Sequence, residues 1–199
     1  MFDVSQPIPL KLITPDGDKE VTVNFPTDDQ LADRSAKMKL VVRQLGRGKS
    51  VTEPQQDHKL DADLFSKIKV DGEDIDEFYA AQVIARLTRC EVTDSRREGN
   101  RFVVELKVPG AKTVHTMKIP SAKQVQQYSR ASFTVIEGRH GMQEMKLNLR
   151  AGEELYDALL DKTEGYAGAV PIVHKSSVIS EVMVLLNQDQ DADGEIEGF

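Results

Sequence analysis

The sequence predicts an α+β protein of two tandem, similar modules, each a β-hairpin followed by about three helices. Two stretches carry that expectation. In the first, Leu10-Lys11-Leu12-Ile13-Thr14 turns at Pro15-Asp16-Gly17, returns through Val21-Thr22-Val23-Asn24-Phe25, breaks at Pro26 and reaches Thr27-Asp28-Asp29-Gln30. In the second, Phe102 to Val108 turns at Pro109-Gly110, returns through Thr113 to Ile119, breaks at Pro120 and reaches Ser121-Ala122-Lys123-Gln124. A third observation joins them: each stretch is followed by apolar residues at helical spacing. The expected modules are residues 1–96 and 97–188, with an acidic tail at 189–199.

Leu10 and Leu12 share one face of the first strand. Val21, Val23 and Phe25 share a face of the second, the period of two of a half-buried hairpin. Pro7 and Pro9 suit an edge strand, because proline donates nothing to a ladder. Thr27 with Gln30, and Ser121 with Gln124, are capping-box pairs in which each member can bond the other's backbone N–H. Asp28 and Asp29 suit the positive end of a helix. Leu31, Met38, Val42 and Leu45 mark one stripe of a helix expected to run to residue 45 and stop at Gly46 and Gly48. Residues 49–59 read as a polar loop. Leu60, Leu64, Phe65 and Ile68 mark a short amphipathic helix and Asp71-Gly72 a turn. Ile75, Tyr79, Val83, Leu87 and Cys90 then line one face of a third helix. Residues 93–101, polar and charged with one glycine, read as the linker between modules.

The second half follows the same order. Val125, Tyr128, Val135 and Ile136 mark a helix ending near Gly138. Met145, Leu147 and Leu149 alternate briefly, as a short strand would. Leu155, Tyr156, Leu159 and Leu160 point inward from a helix over 153–162, and Gly165 to Gly168 is a loop. Pro171 suits the first turn of a last helix carrying Val178, Val182, Leu185 and Leu186.

Composition excludes several classes. With 199 residues, 39% hydrophobic and 30% charged, the chain is globular. A net charge of -7 argues against a nucleic-acid partner, since neutralising phosphates needs a basic face. The apolar runs fall far short of the ~20 residues that span a bilayer, so no membrane partner is expected. No targeting signal stands at the N-terminus, and a cytoplasmic location is the expectation. Cys90 is the one cysteine and lies on an apolar helix face, where a thiol is buried and inert.

Motifs that carry chemistry are sparse. Asp189-Gln190-Asp191-Ala192-Asp193-Gly194-Glu195-Ile196 matches the first eight positions of an EF-hand loop, with Asp189, Asp191 and Asp193 as candidate Ca²⁺ ligands. Position 12, the bidentate Glu, has no residue in this sequence, so the bland reading is a solvated acidic tail and no cofactor. His58, His115, His140 and His174 stand apart, without metal-ligand spacing. Gly46-Arg47-Gly48-Lys49-Ser50 ends like a P-loop but lacks its first glycine. No catalytic residue is expected, and the chain does not read as an enzyme.

The hairpin Leu10–Phe25 with its Asp16-Gly17 turn, followed by Pro26-Thr27-Asp28-Asp29 and a charged helix, resembles the tail assembly chaperones of long-tailed bacteriophages. The resemblance covers about residues 8–45, with an echo at 102–138. Gln30-Leu31 departs from the family's acidic or tryptophan residue. It implies a non-catalytic morphogenesis protein in the host cytoplasm that covers the helical tape measure protein and recruits tail-tube subunits. The partner-binding residues would be Leu31, Met38, Val42 and Leu45 on one helix and Val125, Tyr128, Val135 and Ile136 on the other. An oligomer is compatible with this role. The alternatives are a virion structural protein of the tail or head-tail adaptor kind, and a Ca²⁺-binding regulator or enzyme.

Overall fold

Both hairpins form where the alternation places them. The computed structural model describes residues 1–46, 49–54, 57–137 and 143–193, with side chains at 1–40, 57–134 and 145–188. The fold is α+β. In the first half, β1 (Ile8–Thr14) and β2 (Gly17–Val23) lead to α1 (Asp28–Lys37), β3 (Leu40–Gly46), β4 (Lys49–Pro54), α2 (His58–Ile68), β5 (Lys69–Gly72) and α3 (Glu77–Leu87). After β6 (Glu91–Glu98) come β7 (Arg101–Val108), β8 (Ala111–Lys118), α4 (Ala122–Ala131), β9 (Phe133–Glu137), β10 (Gln143–Leu147), α5 (Leu149–Leu159), β11 (Leu160–Glu164) and α6 (Ile172–Asp193). The order from β1 to α3 is the order from β7 to α6.

Pairing and packing correspond as well. In the hairpins, Ile8 faces Val23 and Thr14 faces Gly17, as Phe102 faces Met117 and Val108 faces Ala111. A third strand joins each hairpin antiparallel, β5 on β2 and β11 on β8, and each has a register shift where one residue is skipped. That residue is Val70 between Lys69 and Asp71, and Asp161 between Leu160 and Lys162. Both capping boxes are formed, with Thr27 and Ser121 at the cap and Gln30 and Gln124 reaching back. Buried Leu64, Phe65 and Ile68 of α2 correspond to Leu155, Tyr156 and Leu159 of α5. Val83, Ile84 and Leu87 of α3 correspond to Val178, Ile179 and Val182 of α6.

The three sheets run β1-β2-β5, β4-β3-β10-β9 and β11-β8-β7-β6. The middle one joins the halves, through Val41 opposite Glu144 and Leu40 opposite Met145. Helix α1 also crosses between them, packing on α2 of its own half and on α5, α6 and β10 of the other. Its Asp28 carboxylate accepts from the Ile172 backbone N–H at 2.8 Å, and Ser35 Oγ donates to the Leu147 carbonyl at 3.1 Å. One buried apolar cluster runs from Phe2 through Leu31 and Ile84 to Phe102 and Ile179. Asp28 therefore supplies the acceptor that the first N–H of α6 lacks, since Pro171 has no polar side chain.

Four expectations are corrected. The helix expected over 28–45 ends at Lys37, where Met38 is already extended with ψ 133°, and residues 40–46 form β3. The helix expected over 122–137 ends at Ala131, and 133–137 form β9. In both, β-branched Val41-Val42 and Thr134-Val135-Ile136 favour a pleated surface, while their apolar spacing also fits a helix. Residues 49–54 are strand, not loop, because they pair with β3. The linker expected at 93–101 is the hairpin β6–β7, and the division at residue 96 falls inside β6. Strand β6 hides from pattern reading because one half-buried residue, Ser95, is all it turns inward. Its order comes from backbone pairing and from Arg96, which bonds Glu98 at 2.7 Å, Glu105 at 3.3 Å and Asp94.

Residues 189–193, expected to open an EF-hand loop, belong to α6, which runs to Asp193. Helix propagation adds a hydrogen bond with each residue and meets no glycine before Gly194. Side chains of Asp189, Asp191 and Asp193, like those of Val42, Leu45, Val135 and Ile136, lie outside the described residues.

Two predictions follow from these contacts. A Cβ at Gly72 would stand 2.3 Å from the Glu20 carbonyl oxygen, and one at Gly165 would stand 2.6 Å from that of Lys112. Both residues have positive φ, at 104° and 92°. Gly72→Ala and Gly165→Ala should each lower the unfolding free energy in urea by about 1–3 kcal/mol. Gly168→Ala, which meets nothing within 4 Å, should stay within about 0.5 kcal/mol of the parent. Asp28→Ala should cost about 1 kcal/mol in the same titration, and an unchanged midpoint would remove its capping role.

Candidate functional site

Each half carries a cleft between its helices, on a different combination of helix faces. One, of about 340 Å³, is lined by Gln124, Gln127, Tyr128 and Ala131 of α4 and by Ala151, Glu154, Leu155 and Ala158 of α5. The other, of about 230 Å³, lies among α1, α2 and α3, with Arg34 and Met38 on one side and Leu60, Phe78, Ala81 and Ala85 on the other. Each is floored by helix residues whose neighbours face the core. Their rims are polar: Gln124, Gln127 and Glu154 in the first, and Asp57, His58 and Gln82 in the second. Arg34 Nε bonds Asp61 Oδ1 at 2.5 Å, with both side chains mostly covered. At the corresponding place α4 carries Tyr128 and α5 carries Gly152, so the two clefts differ in charge. Phe78 is 53% exposed beside the second cleft and packs on His58 and Tyr79 at ring distances of 5.9 and 5.4 Å.

The expected partner-binding residues divide between roles. Met38 and Tyr128 line the clefts. Leu31 is 2% exposed and belongs to the core. Val125 is half-buried on the side of α4 away from the cleft. Val42 and Leu45 sit on β3, and Val135 and Ile136 on β9, so they share no helix stripe with the others.

A buried polar cluster escaped sequence reading. His115 of β8 and His174 of α6, both 0% exposed, meet through Tyr166. His115 Nδ1 and the Tyr156 hydroxyl are 2.8 Å apart, and His115 Nε2 lies 3.2 Å from Thr113 Oγ1 and 3.3 Å from the Tyr166 hydroxyl. The Tyr166 hydroxyl is also 3.2 Å from His174 Nδ1, whose ring partner Nε2 has no hydrogen-bond partner. Phe2 closes the cluster, with ring distances of 5.2 Å to His174, 5.5 Å to Phe25 and 6.1 Å to Tyr166. The signal that could have found His115 was its inward position in an alternating strand.

Burial sets the protonation of this cluster. It pushes His115 down to about 4, with a lesser contribution from the charge of His174, and pushes His174 down to about 4. It pushes Tyr166 up to about 12, against the Thr113 hydrogen bond, and raises Tyr156 further still. At neutral pH the rings are neutral and the phenols protonated; His115, His174 and Tyr156 are buried, and Tyr166 is half-buried. The cluster ties β8, α5, α6 and the N-terminal residues together. Cys90 is half-buried with its Sγ 2.9 Å from Ser177 Oγ, and burial pushes its thiol up, with the Ser177 hydrogen bond acting the other way.

Among the described residues, no three His, Cys, Asp or Glu side chains are grouped to hold a metal ion. No helix among them is long and apolar enough to cross a membrane. A local basic cluster, Arg86, Arg89 and Lys107 around Glu91, borders the Pro109-Gly110 turn.

The two histidines make stability depend on pH. Their folded-state values lie below the ordinary 6.5, so the unfolded chain binds protons first as pH falls. Their contribution is fully present above pH 6.5 and is lost progressively toward pH 4. Urea midpoints should fall across that window by an amount equivalent to about 3 kcal/mol per ring. A midpoint that stays flat would mean that the folded protein admits the charged rings. No known protein family, curated protein or solved structure matches this chain.

Proposed function

We propose that this chain is a duplicated, non-catalytic protein-binding factor whose two clefts each receive an amphipathic helix of a partner. The observation that carries the reading is a helix-lined cleft in each half, each with an apolar floor and a polar rim. That is the shape by which helix-in-groove recognition works, with apolar anchors at i, i+3 or i+4 entering between two helices. Support for the duplication is the shared element order, hairpin register, skipped third-strand residue, capping boxes and core positions. A tail assembly chaperone is the class we favour, on the resemblance of residues 8–45 and on the fit between paired helix clefts and a long helical client such as a tape measure protein. Its tail-tube partners would bind elsewhere on the surface.

A virion structural role is the second reading, favoured by the outer strands β4 and β9, whose far edges pair with no described strand. Quantifying the protein in purified particles separates the two, since a chaperone leaves the assembled product.

Ala131 and Ala85 are exposed cleft residues, so arginine there should block a helix and leave the fold intact. Affinity capture from the native host should recover a long helical protein with the parent chain. Ala131→Arg or Ala85→Arg should weaken that recovery about tenfold at one of two sites, and the double variant should abolish it. Undiminished recovery by the double variant would remove the clefts as the site. Capture of a metabolic enzyme in place of a helical client would remove the chaperone reading.

A further inference from the structure

We propose that residues 1–7 form an acid-opened strap: a proton taken up by His174 displaces Phe2 from its seat and bares the apolar face beneath it. None of the cleft residues named above belongs to this device.

The strap is lightly held. Phe2, 5% exposed, is its anchor. The Phe2 backbone N–H donates to the Gly165 carbonyl at 2.7 Å, and the Phe2 carbonyl accepts from the Ala167 N–H at 2.9 Å. Val4 is half-buried against the core. Met1 and Ser5 to Pro7 are exposed. The Asp3 carboxylate turns to Ser5, accepting its backbone N–H at 2.9 Å and its hydroxyl at 2.7 Å. A segment with so few contacts to the body opens more readily than the strands it covers.

Against Phe2 lies an incomplete hydrogen-bond network. The Tyr166 hydroxyl lies 3.2 Å from His174 Nδ1 and 3.3 Å from His115 Nε2. It carries one proton, so it donates to one ring at most. His115 satisfies its other nitrogen with Tyr156, whereas Nε2 of His174 is buried without a partner. A neutral His174 leaves one polar atom unmet. A protonated one carries N–H on both nitrogens and places a cation there with no acceptor at Nε2.

No counter-charge waits for that cation. From outside α6, His174 is faced by Phe2, Phe25 and Tyr166, with Cys90 acting on Tyr166. Asp28 of α1 is engaged by the Ile172 N–H, and Lys175 by Glu153 and Asp157 of α5. His115 adds only a like charge when it protonates. Among the described residues, then, no carboxylate stands at either imidazole.

The ring is therefore charged where water reaches it. Its aromatic cover is Phe2 at 5.2 Å, Tyr166 at 6.0 Å and Phe25 at 6.3 Å. Phe25 is fixed between β2 and the Thr27 cap of α1, and Tyr166 is bonded to both histidines. Phe2 is the member that leaves most easily. Burial holds His174 at about 4, against 6.5 for a ring in water, so the open strap binds the proton first as pH falls. The strap is closed above pH 6.5 and opens progressively toward pH 4.

Amide exchange of the full chain, followed by NMR and divided by the unstructured-chain rate at each pH, tests this. Protection of the Phe2 and Ala167 N–H groups should fall about thirtyfold between pH 8 and pH 5. It should stay below that of β7 amides throughout, because β7 opens only with the whole molecule. His174→Phe has nothing to protonate, and its strap protection should stay level, with a melting transition that shows it folded. In Phe2→Ala the His174 ring should titrate upward of the parent, toward 6.5. Four outcomes would each overturn the proposal. They are strap protection unchanged at pH 5, strap protection equal to that of β7, a folded His174→Phe whose strap still opens in acid, and a His174 titration indifferent to Phe2.

Discussion

A single carboxylate on the first helix completes the last one. Helix α6 begins after Pro171, which has no side-chain acceptor, and Asp28 fills that gap from the other half. The rest of the architecture is consistent with this placement. Helix α1 lies where it can cover α5, α6 and β10, and Arg150 holds Asp29 and Glu153 beside the same junction. Lys175 continues the chain of charges to Glu153 at 3.2 Å and Asp157 at 3.0 Å. Helix α6 in turn carries Val178, Ile179 and Val182, all 0% exposed, against β6 and β7. Neither half is covered on this side without the other.

The two halves share an element order but differ in interior chemistry. Where the first has Val21, Phe65 and Tyr79, the second has His115, Tyr156 and His174. The first set needs few buried hydrogen bonds. The second joins β8, α5 and α6 through a chain of ring nitrogens and hydroxyls. A polar network fixes orientation more tightly than an apolar contact and tolerates change less, because a broken member leaves a buried group unpaired. The second half is therefore the more exactingly packed, and it is the one that Phe2 seals.

How much of this could be read in advance depended on burial. The hairpins were legible because Leu12, Val21 and Val23 face a core while their neighbours face water. The caps were legible because Thr27 and Ser121 act through local geometry alone. Residues Leu40–Gly46 and Phe133–Glu137 misled because short apolar runs fit helix and strand alike, and their strand state is fixed by pairing, β3 with β4 and at Leu40 and Val41 with distant β10, and β9 with β10. Strand β6 was illegible because almost nothing in it is buried. For the clefts, sequence named Met38 and Tyr128 but could not show that the facing walls come from α2, α3 and α5. The histidine cluster needed three distant segments to converge, which no spacing announces.

Phe2 sits among Phe25, Tyr166 and His174, and its backbone exchanges hydrogen bonds with Gly165 and Ala167 at 2.7 and 2.9 Å. Two segments at opposite ends of the described chain thus meet. Closing so long a loop costs conformational entropy that no local contact offsets, and contacts this distant in sequence slow folding. The topology makes Phe2 the latch of the structure, set where Phe25 of one half meets Tyr166 and His174 of the other.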